Sequence, residues 1–485
     1  MKSYSMKIII LLIYIFSSVE IVNASTQEFK HTALLEANVD REETHLENLL
    51  SQARSGNLLS QYAVAGLYFK QHDYNNAAYW YNLAENNKVA DVVLIDANFY
   101  YYAFKRAEVP FLVNQQGFPT RVIFSFLNVL NDIVLHHPNA MVIVVTDYYY
   151  PSSSKKAYEQ ALKNLEGIED IQATSKRETS RHKQFPEYKA NRVTTPKEIK
   201  ISQYLLSKII QAYGYPIIFV PQVEADDVIA TLTNHAVADD YKVVIASIDK
   251  DFTQLVNDEV TMYDPKFGPK DAKRVKTIYG AYPDQMVDYL SLMGDKADNI
   301  PGIPGIEKEV VVQWLEKYQT MDVLLENTDF IQEDYAHELI QHASQLEMAR
   351  TLITLNESIE LNVPWEYLSQ DKEKIKNIMA IYQQLELKKH LTYLKNRPYF
   401  QAENEAMVLA QNRLGWMYKN GKGIDKNNGL AEKWYKKSAK RGDSEAQYYL
   451  GQIYLEQNDQ ERGYFWIKKA AKNGHQEAKE LLKSK

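Results

Sequence analysis

The sequence predicts an α/β protein with a mostly parallel sheet, joined to a helical subdomain and flanked by all-α helical repeats. Between about residues 91 and 400, short β-rich runs alternate with amphipathic helices, a pattern typical of βαβ units whose sheet is covered on both faces. From about residue 285 onward the β-rich runs stop and helical periodicity takes over. The two ends of the chain instead carry regular Gly, Tyr and Trp spacings in Ala-rich and Leu-rich sequence. A length of 485 residues accommodates these two to four units.

The first residues have the pattern of an export signal. Lys2 and Lys7 precede the apolar run IIILLIYIF, and residues 22–24 offer small side chains to a signal peptidase. The apolar run is too short to span a bilayer comfortably. We therefore expect a signal peptide over residues 1–24, export to the periplasm or outside, and no integral membrane span after cleavage. An uncleaved anchor, a mis-set start codon and a cytoplasmic protein remain the alternatives.

Composition excludes several classes of site and of nucleic-acid binding. The chain has no cysteine, which excludes disulfides, thiolate nucleophiles and Cys-bound zinc. Its net charge of −7 argues against a protein that binds nucleic acid through bulk positive charge. A local basic face beside an acidic site is still compatible with that total.

The ends of the chain resemble a helical repeat. A spacing of 12 residues recurs at both ends: Gly56, Tyr68 and Trp80 near the start, and Gly442, Tyr454 and Trp466 near the finish. The segment LGWMYKNGKGIDKNNGLAEKWYKKSAKRGDSEAQYYL resembles the Sel-one-type, tetratricopeptide-related repeat. This resemblance implies repeats over residues 42–90 and 402–485, with Trp, Tyr and Gly as packing residues. It also implies a surface on which a protein partner could bind.

Acidic residues follow four apolar runs and form a fifth cluster. The nine carboxylates are Asp96, Asp147, Glu224, Asp226, Asp227, Asp249, Asp251, Asp295 and Asp298. If the runs lie in one parallel sheet, their carboxyl ends share the edge where open α/β sheets bind ligands. Carboxylates gathered there would repel one another, and hard divalent cations such as Mg²⁺ or Mn²⁺ relieve that repulsion. The pattern predicts a site for two ions and phosphodiester chemistry.

Local spacing refines this expectation. Glu224 and Asp227 are three residues apart, so a helix would turn both to one side. Asp249 and Asp251 are two apart, so an extended segment would direct both one way. Any single Asp can equally be a helix cap or a solvated turn residue.

The motifs LIDAN, VVTD, VEADDVIATL, ASIDKDFTQLV and LMGDKADNIPGIPGI occur in an order that resembles the 5′-nuclease family. This family includes the 5′→3′ exonuclease domain of bacterial DNA polymerase I and the flap endonucleases. The resemblance implies a PIN-like catalytic domain over residues 91–284 and a helical DNA-binding subdomain with a helix–turn–helix over residues 285–400. It assigns a first metal to Asp96, Asp147, Glu224, Asp226 and Asp227, and a second metal to Asp249, Asp251, Asp295 and Asp298. Asp96 and Asp147 count among the catalytic residues.

A basic segment follows the Asp147 motif. Residues 175–200 carry eight Lys or Arg against three Glu. Within them, RHKQFPEYKANR resembles the segment of the family that grips the phosphates of a single-stranded flap. The resemblance implies that Arg181, Lys189 and Arg192 contact phosphates, with Lys189 and Arg192 also catalytic, and that Tyr188 stacks on a base. A solvated basic helix is the alternative.

Other positions depart from the family pattern. Gly302 and Gly305 fit the turn whose amides bind duplex DNA, but Ile306-Glu307-Lys308 replaces the usual continuation with another Gly. Tyr100–Tyr102, Ala103, Lys105 and Arg106 stand where small residues and an Arg are usual. An insertion of roughly 25 residues separates Asp147 from Arg181. The acidic positions are kept, whereas the substrate-handling positions are altered.

The expected reaction is metal-dependent hydrolysis of DNA from a 5′ end or at a flap, leaving a 3′-hydroxyl and a 5′-phosphate. RNA in an RNA–DNA hybrid is a second candidate substrate. The competing interpretation is an exported repeat scaffold whose nuclease-like domain only binds nucleic acid or a protein partner.

Overall fold

The computed structural model describes residues 49–55, 58–86, 91–98, 100, 114, 120–137, 140–149, 174–175, 179–191, 197–369, 375–395 and 398–483. The predicted signal peptide, Gly56, Tyr101, Tyr102, Ala103, Lys105, Arg106, Arg192 and most of the insertion after Asp147 lie outside these residues. The chain forms two compact units. One is Val89–Pro398, and the other combines Met1–Lys88 with Tyr399–Lys485.

A six-stranded sheet forms the centre of the Val89–Pro398 unit. The strands in chain order are β1 (Val92–Asp96), β2 (Met141–Val145), β3 (Tyr148–Tyr149), β4 (Thr174–Ser175), β5 (Ile217–Ile218), β6 (Val243–Ala246), β7 (Val260–Asp264) and β8 (Gly268–Lys270). The sheet order is β5-β2-β1-β6-β7-β8, while β3 and β4 form a separate antiparallel pair. The neighbours from β5 to β7 pair in parallel, and β8 runs antiparallel along one edge. The predicted parallel α/β sheet is thus confirmed.

Both faces of this sheet are covered. Every residue of β1 is buried, and alternate side chains enter two different cores, Val92 and Leu94 on one face and Val93 and Ile95 on the other. The first core includes the helix Ala225–Ala238. Two helices, Arg121–His136 and Lys197–Ala212, belong to the second core. A strand buried on both faces reads as a continuous apolar run, which is why VVLID and MVIVV are so uniformly hydrophobic.

After β8 the unit is helical. The α-helices are Ala272–Tyr279, Met286–Met293, Lys308–Tyr318, Met321–Glu326, Glu333–Ile353, Ile375–Gln384 and Lys388–Lys395. The earlier part also contains the short helix Ser180–Gln184. Short 3₁₀ helices lie at Lys250–Leu255, Pro283–Gln285, Thr328–Phe330 and Trp365–Tyr367. The predicted change from strands to helices is confirmed, and the long helix Glu333–Ile353 contributes Leu339, Leu346 and Leu352 to the first core.

Two details of the sheet differ from the sequence prediction. The strand before Glu224 is only Ile217–Ile218, because Pro216 and Pro221 enclose it and proline has no N–H for the ladder. The acids of VEADD therefore follow a loop and a helix start rather than a strand end. The sequence analysis did not predict the hairpin of β7 and β8. Its short segments contain Pro, Gly and Asp and lack the strong apolar run that marks a buried strand.

The second unit is entirely helical in its described residues. Its helices are Leu58–Lys70, Tyr74–Asn86, Pro398–Asn420, Asn428–Lys440, Ser444–Glu456, Gln460–Lys472 and Gln476–Lys483. Trp80, Tyr454 and Trp466 are buried, as expected for packing residues. A Cβ at Gly415 would lie 2.7 Å from the Tyr435 ring, so this glycine permits a close helix contact. In the part of the chain that the structure describes, no helix has both the length and the apolarity needed to cross a membrane.

Candidate functional site

The carboxyl ends of β1 and β6 are tied together by a serine. Asp96 ends β1, is buried, and accepts a hydrogen bond of 3.0 Å from Ser247 Oγ, just after β6. The same hydroxyl accepts a hydrogen bond of 3.1 Å from the Asp249 backbone N–H. Ser247 thereby orients one carboxylate and fixes the turn that carries the other. Sequence reasoning missed Ser247, although its position at a strand end is a usable signal.

Asp147 connects the end of β2 to the next acidic motif. Its Oδ1 accepts a hydrogen bond of 2.9 Å from the backbone N–H of Ala225, the first residue of the helix Ala225–Ala238. Its own N–H donates to Asn98 Oδ1 over 3.1 Å. A carboxylate at a helix N-terminus satisfies a free amide and interacts favourably with the helix dipole. This contact brings the Glu224 motif to the sheet edge without a long strand.

The three acids of this motif have different surroundings. Glu224 and Asp227 share one side, as their spacing predicts, but that side faces Arg181, at 3.5 Å from Glu224 and 2.7 Å from Asp227. Asp226 turns toward the other acids. Burial raises its pKa well above the ordinary value, and the charges of Asp96 and Asp249 raise it further against the opposing effect of Lys189. Asp226 therefore belongs with the carboxylates of the sheet edge.

Asp227 is neutralised by Arg181. The guanidinium forms two hydrogen bonds to its carboxylate, of 2.7 and 2.8 Å, and donates to the carbonyls of Leu352 at 2.8 Å and Thr354 at 2.9 Å. Asp227 Oδ1 also accepts the Asn356 N–H over 2.9 Å. Arg181 is only 6% exposed.

These contacts correct two expectations. Arg181 joins the basic segment to the end of the helix Glu333–Ile353, and its buried guanidinium is already engaged by protein acceptors rather than free for a DNA phosphate. Asp227 is engaged by the same ion pair and by a backbone amide, so it differs from a carboxylate open to a metal.

Lys189 lies inside the acidic cluster. Its Nζ is 2.8 Å from Glu224, 3.3 Å from Asp298 and 3.9 Å from Asp226. Burial alone would lower the pKa of this ammonium, but Glu224, with smaller effects from Tyr188 and the two aspartates, raises it well above the ordinary value. Lys189 is therefore a permanent cation at the predicted site, and its partners here are carboxylates.

Tyr188 is a second correction within the basic segment. It is 3% exposed, and its hydroxyl donates to Glu224 at 3.1 Å and Asp298 at 3.3 Å. Base stacking needs an accessible ring face, which this buried side chain does not offer. Tyr188 instead holds two predicted metal ligands in place.

A further group of carboxylates meets beside Lys250. One oxygen each from Asp251, Asp295 and Asp298 all lie within 4.8 Å of one another. Asp251 Oδ1 is buried without a hydrogen bond, with the Lys250 ammonium 3.7 Å away. Lys250 lies closer to Asp295, at 2.5 Å. Burial, followed by the charge of Asp249, raises the pKa of Asp251 to about 8.

Asp249 and Asp251 meet through a cap rather than an extended segment. Asp249 precedes the 3₁₀ helix Lys250–Leu255, and its Oδ1 accepts the Asp251 N–H over 3.1 Å. The expected proximity of the two carboxylates is therefore produced by different local geometry.

The two glycines of the IPGIPG turn are not equivalent. A Cβ at Gly302 would lie 2.3 Å from the backbone N of Gly294, so Gly302 permits close packing between the turn and a helix end. Gly305 has φ +69° and open space around it. Glu307 follows at the N-terminal boundary of the helix Lys308–Tyr318. Phosphate binding at either glycine stays a prediction.

We call eight of the nine predicted ligands the acidic site, leaving out Asp227; they are Asp96, Asp147, Glu224, Asp226, Asp249, Asp251, Asp295 and Asp298. Lys189 and Lys250 lie within 4.0 Å of its carboxylates, and Arg181 lies beside Glu224. Carboxylate oxygens gathered in this way are able to hold divalent cations.

Known proteins match the same region. The family profile "5'-3' exonuclease, N-terminal resolvase-like domain" matches residues 159–281, and "5'-3' exonuclease, C-terminal SAM fold" matches residues 281–376. The Sel1 repeat profile matches residues 58–88, 408–443 and 444–475.

Curated relatives agree with these matches. The chain is 31% identical over 247 residues to a 5'-3' exonuclease of Buchnera aphidicola, covering 50% of this chain and 72% of the relative. A 5'-3' exonuclease of Aquifex aeolicus is 29% identical over 297 residues, covering 61% and 92%. DNA polymerase I of Pseudomonas aeruginosa is 30% identical over 311 residues, covering 62% of this chain. The match spans only 31% of that polymerase's length.

The solved structures that the chain resembles include the T5 D15 protein co-crystallised with metal ions, with a TM-score of 0.41 and 15% identity. This match covers 65% of this chain and 99% of that one. The catalytic core of Rad2 in complex with DNA substrate has a TM-score of 0.39 and 12% identity, covering 61% of this chain and 88% of the other.

Proposed function

The chain belongs to the 5'-3' exonuclease family, and from that premise we propose that it is a metal-dependent nuclease acting on DNA at 5′ ends and flaps. The observation that carries this proposal is the acidic site, where eight carboxylates from five segments gather at the carboxyl edge of the sheet. Carboxylates gathered at one edge repel one another, and divalent cations relieve that repulsion.

The residues fit divalent cations. The oxygens of Asp251, Asp295 and Asp298 are close enough to share one ion, and Asp251 Oδ1 has no hydrogen bond to lose. We propose that a second ion is held by Asp96, Asp226 and Asp249, because the charges of Asp96 and Asp249 both act on Asp226. Oxygen ligands of this kind favour Mg²⁺ or Mn²⁺. Bound ions would lower the pKa of an attacking water and stabilise charge on the phosphoryl oxygens.

The chain's own side chains prepare this site. Ser247 orients the Asp96 carboxylate, and Tyr188 holds Glu224 and Asp298 through its hydroxyl. Lys189 stays protonated and brings a fixed positive charge to the place where a scissile phosphate would gain negative charge. We propose Lys189 as a catalytic residue on this basis, and Arg192 on the family resemblance.

The test compares cleavage by three proteins. Native chain, Asp251→Asn and the exposed control Asp258→Asn are given 5′-labelled flap DNA in Mg²⁺, in Mn²⁺ and in EDTA. We expect cleavage by the native and control proteins only with metal, and a loss of at least about 100-fold in Asp251→Asn. Absence of metal-dependent cleavage in the native protein would contradict the nuclease proposal, and retained DNA binding would then support a binding-only domain.

The repeat unit is proposed to bind a protein partner. The repeat match supports this proposal, because stacked helical repeats form extended binding surfaces. On the described surface, Tyr79 is 59% exposed and Leu409 is 40% exposed, which makes them suitable positions for a test. Replacing both with Ser should abolish a stoichiometric complex formed by the native chain while leaving flap cleavage unchanged. A native chain that forms no complex in its source cells would contradict this proposal.

Export is proposed from the N-terminal sequence alone. Cell fractionation followed by intact-mass measurement should find a chain that lacks residues 1–24 outside the cytoplasm. Full-length chain recovered in the cytosol would contradict export and leave the nuclease proposal unaffected.

A further inference from the structure

The turn between β7 and β8 presents an aromatic ring and an ammonium to solvent. Phe267 is 65% exposed, and Lys266 Nζ lies 4.8 Å from the centroid of its ring. Among the described large apolar side chains, only Phe330 is more exposed, at 74%. We call Lys266 and Phe267 the hairpin tip. Since an exposed Phe gains little from folding, packing gives no reason for its position.

The backbone of the hairpin tip is held by one buried carboxylate. Asp264 Oδ1 accepts hydrogen bonds from the N–H groups of Lys266 at 2.7 Å and Phe267 at 3.2 Å. Gly268 follows with φ +78°, a left-handed conformation that lets the chain turn back into β8. An Asx turn of this kind fixes the local conformation. The aromatic ring is therefore presented by an ordered turn, which lowers the entropy cost of binding.

Sheet topology places the hairpin tip at the edge that carries the acidic site. β7 runs parallel to its neighbour β6, with Ala246 paired to Tyr263. Asp249 comes three residues after Ala246, and Lys266 comes three residues after Tyr263. Both segments leave the sheet at the same edge from neighbouring strands. Ile248, which lies in the sequence between the end of β6 and Asp249, is 41% exposed.

Charge near the hairpin tip favours a polyanion. Lys266 is exposed, and the following helix Ala272–Tyr279 exposes Lys273 and Arg274. Asp264 is buried and engaged in the turn, so it does not cancel these charges at the surface. A nucleic-acid strand that approaches the acidic site is repelled by its carboxylates, and cations beside the site offset that repulsion.

We propose that the hairpin tip is a single-strand contact of the nuclease, with Phe267 stacking on a nucleobase and Lys266 binding a neighbouring phosphate. An exposed ring beside a cation is the combination that binds single strands without sequence preference. This inference rests on the proposed nuclease function and deepens it. It assigns base stacking to the exposed ring of Phe267 instead of the buried ring of Tyr188.

The test uses steady-state cleavage of 5′-flap DNA by four proteins: native, Phe267→Ala, Phe267→Tyr and the control Phe330→Ala. Phe330 ends the 3₁₀ helix Thr328–Phe330 and is 74% exposed against 65% for Phe267, which makes it a matched control for surface truncation. We expect Phe267→Ala to raise KM by roughly 5- to 100-fold, the range typical of one stacked base, with kcat little changed. Phe267→Tyr and Phe330→Ala should resemble the native protein.

A flap with abasic nucleotides isolates stacking. On that substrate the native protein and Phe267→Ala should have the same KM, because no base remains to stack. Unchanged KM for Phe267→Ala on the normal flap would overturn the inference and leave the tip as a surface for a protein. If the native chain does not cleave, the nuclease proposal fails separately. In that case, fluorescence anisotropy of the same flap in EDTA measures DNA affinity directly. The inference still requires that Phe267→Ala bind the flap more weakly than the native protein does.

Discussion

Asp226 and Asp227 are neighbours in the sequence but lie in opposite electrostatic surroundings. Asp227 receives two hydrogen bonds from Arg181 and one from a backbone amide, so its charge is matched inside the protein. Asp226 faces Asp96 and Asp249, has the Lys189 ammonium only at 3.9 Å, and has a raised pKa because of burial and those charges. A single step along the helix thus separates a carboxylate that stabilises the fold from one that is repelled by its neighbours.

This difference shows how a single motif performs two tasks. Successive helical residues point about 100° apart, so the second and third acids of VEADD cannot face the same partner. The Arg181–Asp227 ion pair fixes the helix start against the end of the helix Glu333–Ile353. That fixed rotation directs Asp226 toward the sheet edge. The Asp227 side positions the helix, and we propose that the Asp226 side binds metal.

The largest expected effect comes from breaking the neutralised side. Asp227→Ala should lower the free energy of unfolding by about 3–5 kcal/mol, because it removes the carboxylate that forms both close hydrogen bonds with the buried Arg181 guanidinium. Urea unfolding monitored by circular dichroism in EDTA measures this effect. Asp258→Ala, at an exposed position, is the control and should change it little. A cost below about 1 kcal/mol for Asp227→Ala would mean that the ion pair does not fix the helix.

A second pair of motif neighbours sharpens the comparison. Gly302→Ala should cost about 2–3 kcal/mol, because its Cβ would press on the Gly294 backbone. Gly305→Ala has open space and should cost only about 1 kcal/mol for its left-handed φ. Urea unfolding of both variants distinguishes these values. Equal costs would show that the turn does not pack as described.

The smallest expected effect concerns pH on the repulsive side. The pKa of Asp251 is raised to about 8, so between about pH 4 and 8 the metal-free native state keeps a proton that the unfolded chain has lost. Stability contributed by this group therefore falls as pH rises through that window. Asp251→Asn removes the penalty, and the variant should exceed native stability by on the order of 1–2 kcal/mol at pH 8.

Unfolding in EDTA at pH 5, 6.5 and 8 checks this prediction. The advantage of Asp251→Asn should grow with pH, whereas Asp258→Asn should show no such trend. An advantage that shrinks as pH rises would place the Asp251 carboxylate in a stabilising environment instead.

Much of the fold was predictable because long apolar runs such as VVLID are buried on both faces of the sheet. Acids at the ends of parallel strands must share an edge, so Asp96 and Asp249 could be brought together from sequence. The roles of Arg181 and Tyr188 could not, since their partners at Leu352 and Asp298 are more than 100 positions away. A basic segment looks alike whether its cations face DNA or the protein's own carboxylates.

The role of the hairpin tip could not be predicted from the sequence for a related reason. Phe267 lies in a short segment of Pro, Gly and charged residues, where an aromatic residue has no periodic pattern to interpret. Its meaning depends on β7 lying next to β6, and strand order is a tertiary property.

The most direct test compares Asp226→Asn with Asp227→Asn, two isosteric changes at adjacent residues, for flap cleavage in Mn²⁺ and for thermal unfolding in EDTA. We predict that Asp226→Asn loses at least about 100-fold in cleavage while its Tm is unchanged or higher. Asp227→Asn should have a clearly lower Tm yet retain cleavage within about tenfold at temperatures where it is folded. Loss of cleavage in Asp227→Asn with native Tm, or a destabilised Asp226→Asn that still cleaves, would contradict the division between a positioning carboxylate and a metal-binding one.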